Sequence, residues 1–593
     1  MKQASPAIVT QDAVRRLPRW AMWLFCLAYS LPGLVARSPW KREDLTTLGV
    51  VLEIVQGGSN AWNPSLAGQA VDTGAVLPYA LGAAIVGLTQ PLVPPESAVR
   101  GLALLLLWVT LTATWYASYA LARLPQAQPV AFAFGGEAQP VDYARAIADA
   151  AVLALIASLG LAQRSHEATP AQMQLCATAV AYLGMAYLHH KPRKAALAIT
   201  VGLTTLCLSG APWLATVLPL AAALHLARQP LQNARRVAHW RILGLIGVGL
   251  AMALLAWALG LWRDRLNHPL LGNMAHWESM GRLFLWFTWP LWPMVLWTLW
   301  RWRALWILGS QRSTHLWLPL LFLIVLALAT LSTGGADRSL LLALPALATL
   351  AAFALPTLQR SVSALIDWFT LLFFTGCAAV IWIVWISLAL GWPSQPARNV
   401  ARLLPGFVPS HSGWALAIAV LASAAWAILV LWRVGRHRPA LWKSLVLPAG
   451  GAALSWCLLM TLWLPMLDYA RSYRPWIDQV RQVVPESADC VVVSGLSPAQ
   501  RAALRIDTRW RLVSPEFNGA CSWALVSLET PDPRLDLNTP APWERAATTR
   551  HPAERKDSVA VLRRVTADPT APTPPDTQES STQNASHAPP RSQ

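Results

Sequence analysis

The sequence predicts a polytopic α-helical membrane protein with about thirteen transmembrane helices and a small C-terminal α/β extracytoplasmic domain. Three observations predict it. Hydrophobic residues make up 55% of the 593 and charged residues only 13%. Apolar runs of roughly 17–25 residues, the length a helix needs to cross hydrocarbon, recur from residue 20 to residue 466. Beyond 466 charge rises and the apolar runs shrink to strand length. A soluble globular chain does not fit this pattern.

The expected spans are 20–36, 101–122, 148–163, 173–188, 195–210, 213–227, 242–262, 284–300, 315–331, 340–357, 365–391, 413–432 and 444–466. Arg15, Arg16 and Arg19 precede the first span, so residues 1–19 are expected in the cytoplasm, and the absence of a cleavage pattern after Ala36 makes that span an uncleaved anchor. Later loops agree. Lys191, Arg193, Lys194, Arg235, Arg236 and Arg241 crowd the cytoplasmic side, whereas the opposite loops are sparse in cations. The stretch 75–90 carries Pro78 and is followed by Pro91, Pro94 and Pro95; it is short for a span and reads as a re-entrant or interfacial helix.

The formal net charge is +18. Because the basic residues sit in short loops between spans, they set topology, and the expected partner is the membrane, with no nucleic acid. Binding of anionic headgroups is the second reading. Clusters such as Trp286, Trp289, Trp292 and Trp297 lie near span ends, where indoles anchor a helix at the interface.

Residues 467–566 form the expected extracytoplasmic domain, with a helix over 471–484 and strands over 490–494, 523–528 and 558–565. Ser497-Pro498 is an N-cap and first-turn pair for a helix over 498–505. Residues 567–593, rich in Pro, Thr, Ser and Gln, are expected to be disordered. Five of the seven cysteines lie in spans as small apolar residues. Cys490 and Cys521 are either a disulfide or two free thiols.

Chemistry is expected in the loops, because the spans hold few ionisable groups. His225, His315 and Asp367 fall near cytoplasmic ends. A transporter usually needs charges at the midplane, so the transporter or flippase reading is the weaker one. A non-enzymatic scaffold is a third. The first outer loop, 37–100, is the longest. It opens on Trp40-Lys41-Arg42-Glu43-Asp44, after which Leu45, Leu48, Leu52 and Val55 recur at helical spacing, the pattern of an amphipathic helix lying on the membrane. Glu43 and Asp44 either satisfy that helix's N-terminus or act as carboxylates that activate an acceptor or hold a metal. Arg37, Lys41 and Arg42 either anchor the interface or grip a phosphate. A second outer loop carries Arg164, His166 and Glu167, which suit acid–base or metal chemistry, or a solvated connector. A third carries His268, His276 and Glu278, with His276 a candidate metal ligand. A fourth carries Asp337 and Arg338. There is no zinc motif of fixed spacing and no phosphate-cradling glycine loop.

Together these features resemble the integral-membrane GT-C glycosyltransferases of bacterial family 39, the group that includes aminoarabinose (lipid A) transferases and protein mannosyltransferases. Arg37 to Asp44 is similar to that family's first-loop segment, with the acidic pair reversed. Trp62-Asn63-Pro64 with Gly68, Leu77 to Gly82, Trp286 to Pro293, Arg338 to Pro345 and Leu464-Pro465 to Tyr473 resemble further family segments. The family's Glu-Lys-Pro-Pro is absent: Thr73-Gly74-Ala75-Val76 stand in its place, with Asp72 the nearest acid. No tyrosine stands in 333–345. The resemblance implies a GT-C fold in a bacterial inner membrane, with the C-terminal domain in the periplasm. It implies a polyprenyl-phosphate sugar as donor and a lipid, glycolipid or protein as acceptor. Asp44 orients or deprotonates the acceptor in that scheme, with a divalent metal as an implied cofactor, and Glu167 is the second-loop acid. Arg42 and Arg338 neutralise the departing phosphate, and Arg37, Lys41, Asp72 and His166 line the substrate site. Asp44→Asn is then expected to abolish transfer while leaving folding intact.

Overall fold

The structure is a computed structural model. It describes residues 5–34, 36–40, 43–71, 74–228, 235–262, 274–307, 313–333, 337–434, 440–515, 521–529, 543–554 and 557–565. Lys41, Arg42, Asp72, the loop around His268 and the 567–593 tail lie outside the described residues.

Helix α1 (Arg19–Ser30) is followed by α2 (Glu43–Val55), a two-residue hairpin of β1 (Ser65–Leu66) with β2 (Gln69–Ala70), and α3 (Leu77–Thr89). Next come α4 (Pro95–Ala122), α5 (Pro140–Ala157), α6 (Leu159–Arg164), α7 (Pro170–Tyr187), α8 (Pro192–Leu208), α9 (Pro212–Ala227), α10 (Arg235–Ala258), α11 (Met274–Phe287) and α12 (Leu291–Arg301). The bundle continues through α13 (Arg303–Trp306), α14 (Thr314–Ser332), α15 (Asp337–Leu341), α16 (Leu344–Ala352), α17 (Arg360–Leu390), α18 (Ser394–Leu403), α19 (Gly413–Val434), α20 (Lys443–Leu459) and α21 (Leu464–Arg471).

Each expected span meets a helix, but the count of thirteen is not reproduced. Among the described residues six helices are long and apolar enough to cross a membrane, or up to eight if each of two bent pairs is one span. Local chemistry accounts for part of the shortfall. The helix that meets the expected 20–36 span, α1, has only 12 residues, since it ends before Pro32 and Gly33. The 148–163 span breaks at Ser158, whose hydroxyl donates to Leu155 O at 2.7 Å. The 284–300 span turns through 86° between α11 and α12, where Pro290 supplies no N–H to the ladder. The 444–466 span bends by 72° between α20 and α21. The stretch 75–90 is the short helix α3, as expected.

Within the bundle, α7 and α8 approach closely through small residues. A Cβ on Gly202 would lie 2.6 Å from Ala181 N, and one on Gly184 would lie 2.7 Å from Ile199. Such residues let helix backbones touch where lipid offers no hydrophobic drive. At one end of the bundle, the N-terminal segment pairs with the rest of the chain through Thr10 and Glu137 and through Leu441 N donating to Ala13 O at 2.9 Å.

The opposite end carries the C-terminal domain, built from α22 (Arg474–Val483), β3 (Cys490–Ser494), α23 (Pro498–Asp507), β4 (Arg511–Val513), β5 (Trp523–Ser527), β6 (Trp543–Arg550) and β7 (Ser558–Arg564). The sheet order is β4-β3-β5-β7-β6, with β3 parallel to both β4 and β5, and β7 antiparallel to β5 and β6. Cys490 and Cys521 form a disulfide. A capping box between Ser497 and Gln500 starts α23.

The expectation that α2 lies on the membrane as a free amphipathic helix is wrong. Its residues Asp44, Leu45, Thr47, Leu48, Gly49, Val50, Val51 and Glu53 are buried. Helix α23 lies against it. Glycine is what permits the contact, because a Cβ on Gly49 would sit 2.7 Å from Ala502 Cβ. Arg505 Nε donates to Glu53 Oε2 at 2.6 Å, and Arg501 Nη1 donates to Leu66 O at 2.9 Å. Gly49→Val is therefore expected to displace the C-terminal domain, at a cost of about 1–3 kcal/mol from overpacking. Thermal melting and limited proteolysis of the full chain would show earlier unfolding and faster cleavage near residues 484–498, with partial rescue by Ala502→Gly.

Candidate active site

The segment 37–40 enters α2 under two carboxylates. Asp44, in the first turn of α2, accepts Trp40 N–H on Oδ2 at 3.3 Å, while Leu45 N–H donates back to Trp40 O at 3.3 Å. This local pair fixes the start of the helix. Asp468 on α21 accepts Ser38 N–H at 3.0 Å and the Trp40 indole N–H at 2.7 Å.

Asp44 also reaches the second loop. Its Oδ1 accepts Ala168 N–H at 3.0 Å. Arg37 Nη2 donates to Asp44 Oδ2 at 3.4 Å and to His166 O at 2.7 Å. The two loops that the sequence singles out are thus fastened together by one buried ion pair, with Asp44 4% and Arg37 1% exposed. Glu167 sits in the same network. It accepts from Gln163 Nε2 at 2.7 Å and from Arg164 Nη1 at 3.1 Å, and Arg471 Nη1 donates to Gln163 Oε1 at 2.8 Å. Arg37 and Arg471 both stack on the Trp40 indole, 4.8 and 5.2 Å from its centroid.

Burial, and then the neighbouring Asp44, push the Glu167 carboxyl above the ordinary carboxylate range, against the pull of Arg164. A raised carboxyl in a charged recess is suited to proton transfer. His166 is not. Its Nδ1 lies 2.5 Å from Ala162 O and its Nε2 2.9 Å from Tyr29 O, and burial draws its pKa down to about 4. The ring bridges α1, α6 and the second loop, which corrects its expected place among substrate-binding residues.

Two arginines have hydrogen-bonding capacity to spare. Among the described residues, Arg37 Nε and Nη1 and Arg100 Nη2 are buried without a partner. Arg100, on the first turns of α4, is 5% exposed and lies within charge–charge range of Asp44, Arg37, Glu96 and Asp468. Buried guanidinium N–H groups left unpaired are costly, and both side chains keep the capacity to bond an anion. The sequence reading missed Arg100, Asp468, Arg471 and Gln163. An arginine just inside an apolar run was the available signal for Arg100.

Of the other expected site residues, Lys41, Arg42 and Asp72 lie outside the described residues. Glu43 begins α2 half-buried. Arg338 falls in α15, with its side chain outside the described residues. His276 stands on α11, edge-on to the Trp277 ring. Among the described residues no three His, Cys, Asp or Glu side chains gather as metal ligands. The carboxylates described around Asp44 are taken up by N–H donors and do not form a metal cage.

No family model and no curated protein matches the chain. Solved structures do. ArnT from Cupriavidus metallidurans bound to undecaprenyl phosphate superposes with a TM-score of 0.56 at 14% identity, over 93% of this chain and 99% of that one. The same protein in the apo state gives 0.57 at 14% identity, over 92% and 98%. The fold is that of ArnT. The ArnT-like architecture agrees with the fold that the sequence resemblance implies.

The expectation that Asp44→Asn leaves folding intact is also revised. The substitution keeps one acceptor oxygen for two backbone donors and strips Arg37 of its counter-ion, a loss of about 3–5 kcal/mol for a buried pair. The His166 pKa gives a further expectation. Its folded value lies below the unfolded one, so the stability it confers is present above pH 6.5 and lost as pH falls toward about 4. Glu167 titrates with the opposite sign, so the comparison with His166→Gln isolates the histidine. At pH 5 the native chain should lose about 2 kcal/mol relative to that variant when both are referenced to pH 7.5, as read by chemical or thermal unfolding.

Proposed function

We propose that the chain is a membrane glycosyltransferase. It takes a sugar from a polyprenyl-phosphate donor and passes it to a lipid or glycolipid acceptor at the membrane face that carries the C-terminal domain. The observation that carries this reading is the pair of buried arginines, Arg37 and Arg100, with unpaired N–H groups beside Asp44. The ArnT structure that shares the fold was solved with undecaprenyl phosphate, a ligand whose anionic head is of the kind such a pair of arginines would take.

In this reading an acceptor hydroxyl attacks the anomeric carbon. The new carbon–oxygen bond forms as the bond from that carbon to the phosphate oxygen breaks, and the lipid phosphate leaves with the electron pair. Arg37 and Arg100 offset the charge growing on the phosphate. The acceptor's proton passes to Glu167, whose environment favours the protonated carboxyl. Asp44, held by three N–H donors, keeps Arg37 aimed at the phosphate and orients the acceptor through its remaining lone pair. In this reading the membrane is a bacterial inner membrane, as the family resemblance implies, and the loop charges place the C-terminal domain on its periplasmic side.

Arg100→Gln is the informative variant, since it removes a charged donor and breaks none of the hydrogen bonds described above. With purified full chain and a polyprenyl-phosphate sugar, it should lower kcat/KM about 10- to 100-fold with little change in melting temperature. Unchanged transfer would contradict the assignment. Mass spectrometry of glycolipids from cells with and without the protein separates transfer from a flippase, which makes no new glycoside.

A further inference from the structure

The opposite end of the bundle carries a second group of charges, and the proposed chemistry does not use it. Helix α20 runs from Lys443 toward α21 and the C-terminal domain, so Lys443 marks the far membrane face. Helix α17 starts beside it, since the Ser363 and Ser444 hydroxyls share a hydrogen bond at 2.7 Å. On α17, Arg360, Ser363 and Asp367 follow at i, i+3 and i+7 and so share one face. Asp367 pairs with Arg433, at the end of α19. Lys443 lies within charge–charge range of Arg433, Asp367 and Arg360. Three cations from three helices thus meet one carboxylate. Among the described residues Arg433 takes that carboxylate, Arg360 and Lys443 have no ion-pair partner, and Arg433 Nε is buried without an acceptor.

Like charges crowded at a membrane boundary repel one another, and one carboxylate offsets only one of the three. Neither α17 nor α20 has a side-chain cap at its start, so the first-turn N–H groups of both helices add to the positive potential there. An anion removes the repulsion. The surface beside the cluster selects its source. Leu365, Trp368 and Leu372 form an adjacent stripe of α17 at the spacing i, i+3, i+7, and are 68%, 65% and 65% exposed. Asp367 lies about 10 Å along α17 from Arg360, at 1.5 Å per residue, so this stripe runs from the level of the charges into the span. A free phosphate would have no use for it. A phospholipid carries a charged phosphodiester above hydrocarbon, the same order in which the cations and the apolar stripe stand along α17.

We propose that the starts of α17 and α20 and the end of α19 together bind an anionic diacyl phospholipid of the leaflet opposite the C-terminal domain. Arg360 and Lys443 flank its phosphodiester, and its chains lie along Leu365, Trp368 and Leu372. The site stands whether or not the chain transfers a sugar, because its readout is lipid retention. Purified full chain is offered equal amounts of phosphatidylglycerol and phosphatidylcholine with matched acyl chains, and native mass spectrometry reads which stays bound. The native chain should prefer phosphatidylglycerol. Arg360→Gln with Lys443→Gln should lower that preference about 10- to 30-fold, roughly fivefold for each cation. Arg193→Gln with Lys194→Gln, which removes two exposed cations from the same face at the start of α8, should leave it unchanged. Arg360→Gln alone alters an exposed side chain and should still lower the preference about fivefold should the double variant fold poorly. No preference in the native chain, equal losses in the two double variants (the signature of net charge alone), or displacement of the lipid by excess inorganic phosphate overturns the proposal.

Discussion

The buried carboxylate of Asp44 is the constraint on which this end of the molecule depends. It accepts Trp40 N–H from the first loop, Ala168 N–H from the second, and an Arg37 guanidinium that also holds His166 O. Each partner belongs to a connector that would otherwise be free to move. A charge so enclosed is stable only while its hydrogen bonds and counter-ion are all present. Structural and chemical roles are therefore not separable at Asp44. Loss of the carboxylate unbinds two loops and leaves Arg37 uncompensated inside the protein.

Helix α2 transmits that constraint outward. Asp44 occupies its first turn, and Gly49, little more than one turn later, admits α23 of the C-terminal domain. Arg505 with Glu53 closes the far end of the same contact. The domain thus covers the helix that positions the ion pair, and in the proposed reaction this low-dielectric setting strengthens the pull of Arg37 and Arg100 on the lipid phosphate. Arg37 joins both halves of the arrangement, bonded to Asp44 through one nitrogen and unpaired at the other two.

Much of this was legible in the sequence, for reasons that differ by element. The hydropathy of 101–122, 365–391 and 413–432 located α4, α17 and α19 because long apolar runs admit few alternatives. The Ser497-Pro498 signal located α23. Strand β6, reading Trp-Glu-Arg-Ala-Ala-Thr-Thr-Arg, was missed because it is a largely exposed edge with no apolar alternation. The helical spacing of Leu45, Leu48 and Leu52 correctly gave α2, but periodicity does not say what covers an apolar face, and α23 covers it rather than lipid. In the site, Asp44, Arg37 and Glu167 stood out as charges flanking apolar spans. Asp468 and Arg471, more than 400 residues from Trp40, meet it only through the tertiary fold. His166 was misassigned because spacing does not reveal that both ring nitrogens face backbone carbonyls.

Hydrogen exchange of the full chain in a membrane mimic tests the central claim most directly, read by mass spectrometry over the peptides that contain Trp40 and Ala168. If Asp44 fastens the two loops, both amides exchange slowly in the native chain, and Asp44→Ala deprotects them together. Rapid exchange at Ala168 in the native chain, or deprotection of Trp40 alone in the variant, would contradict the account.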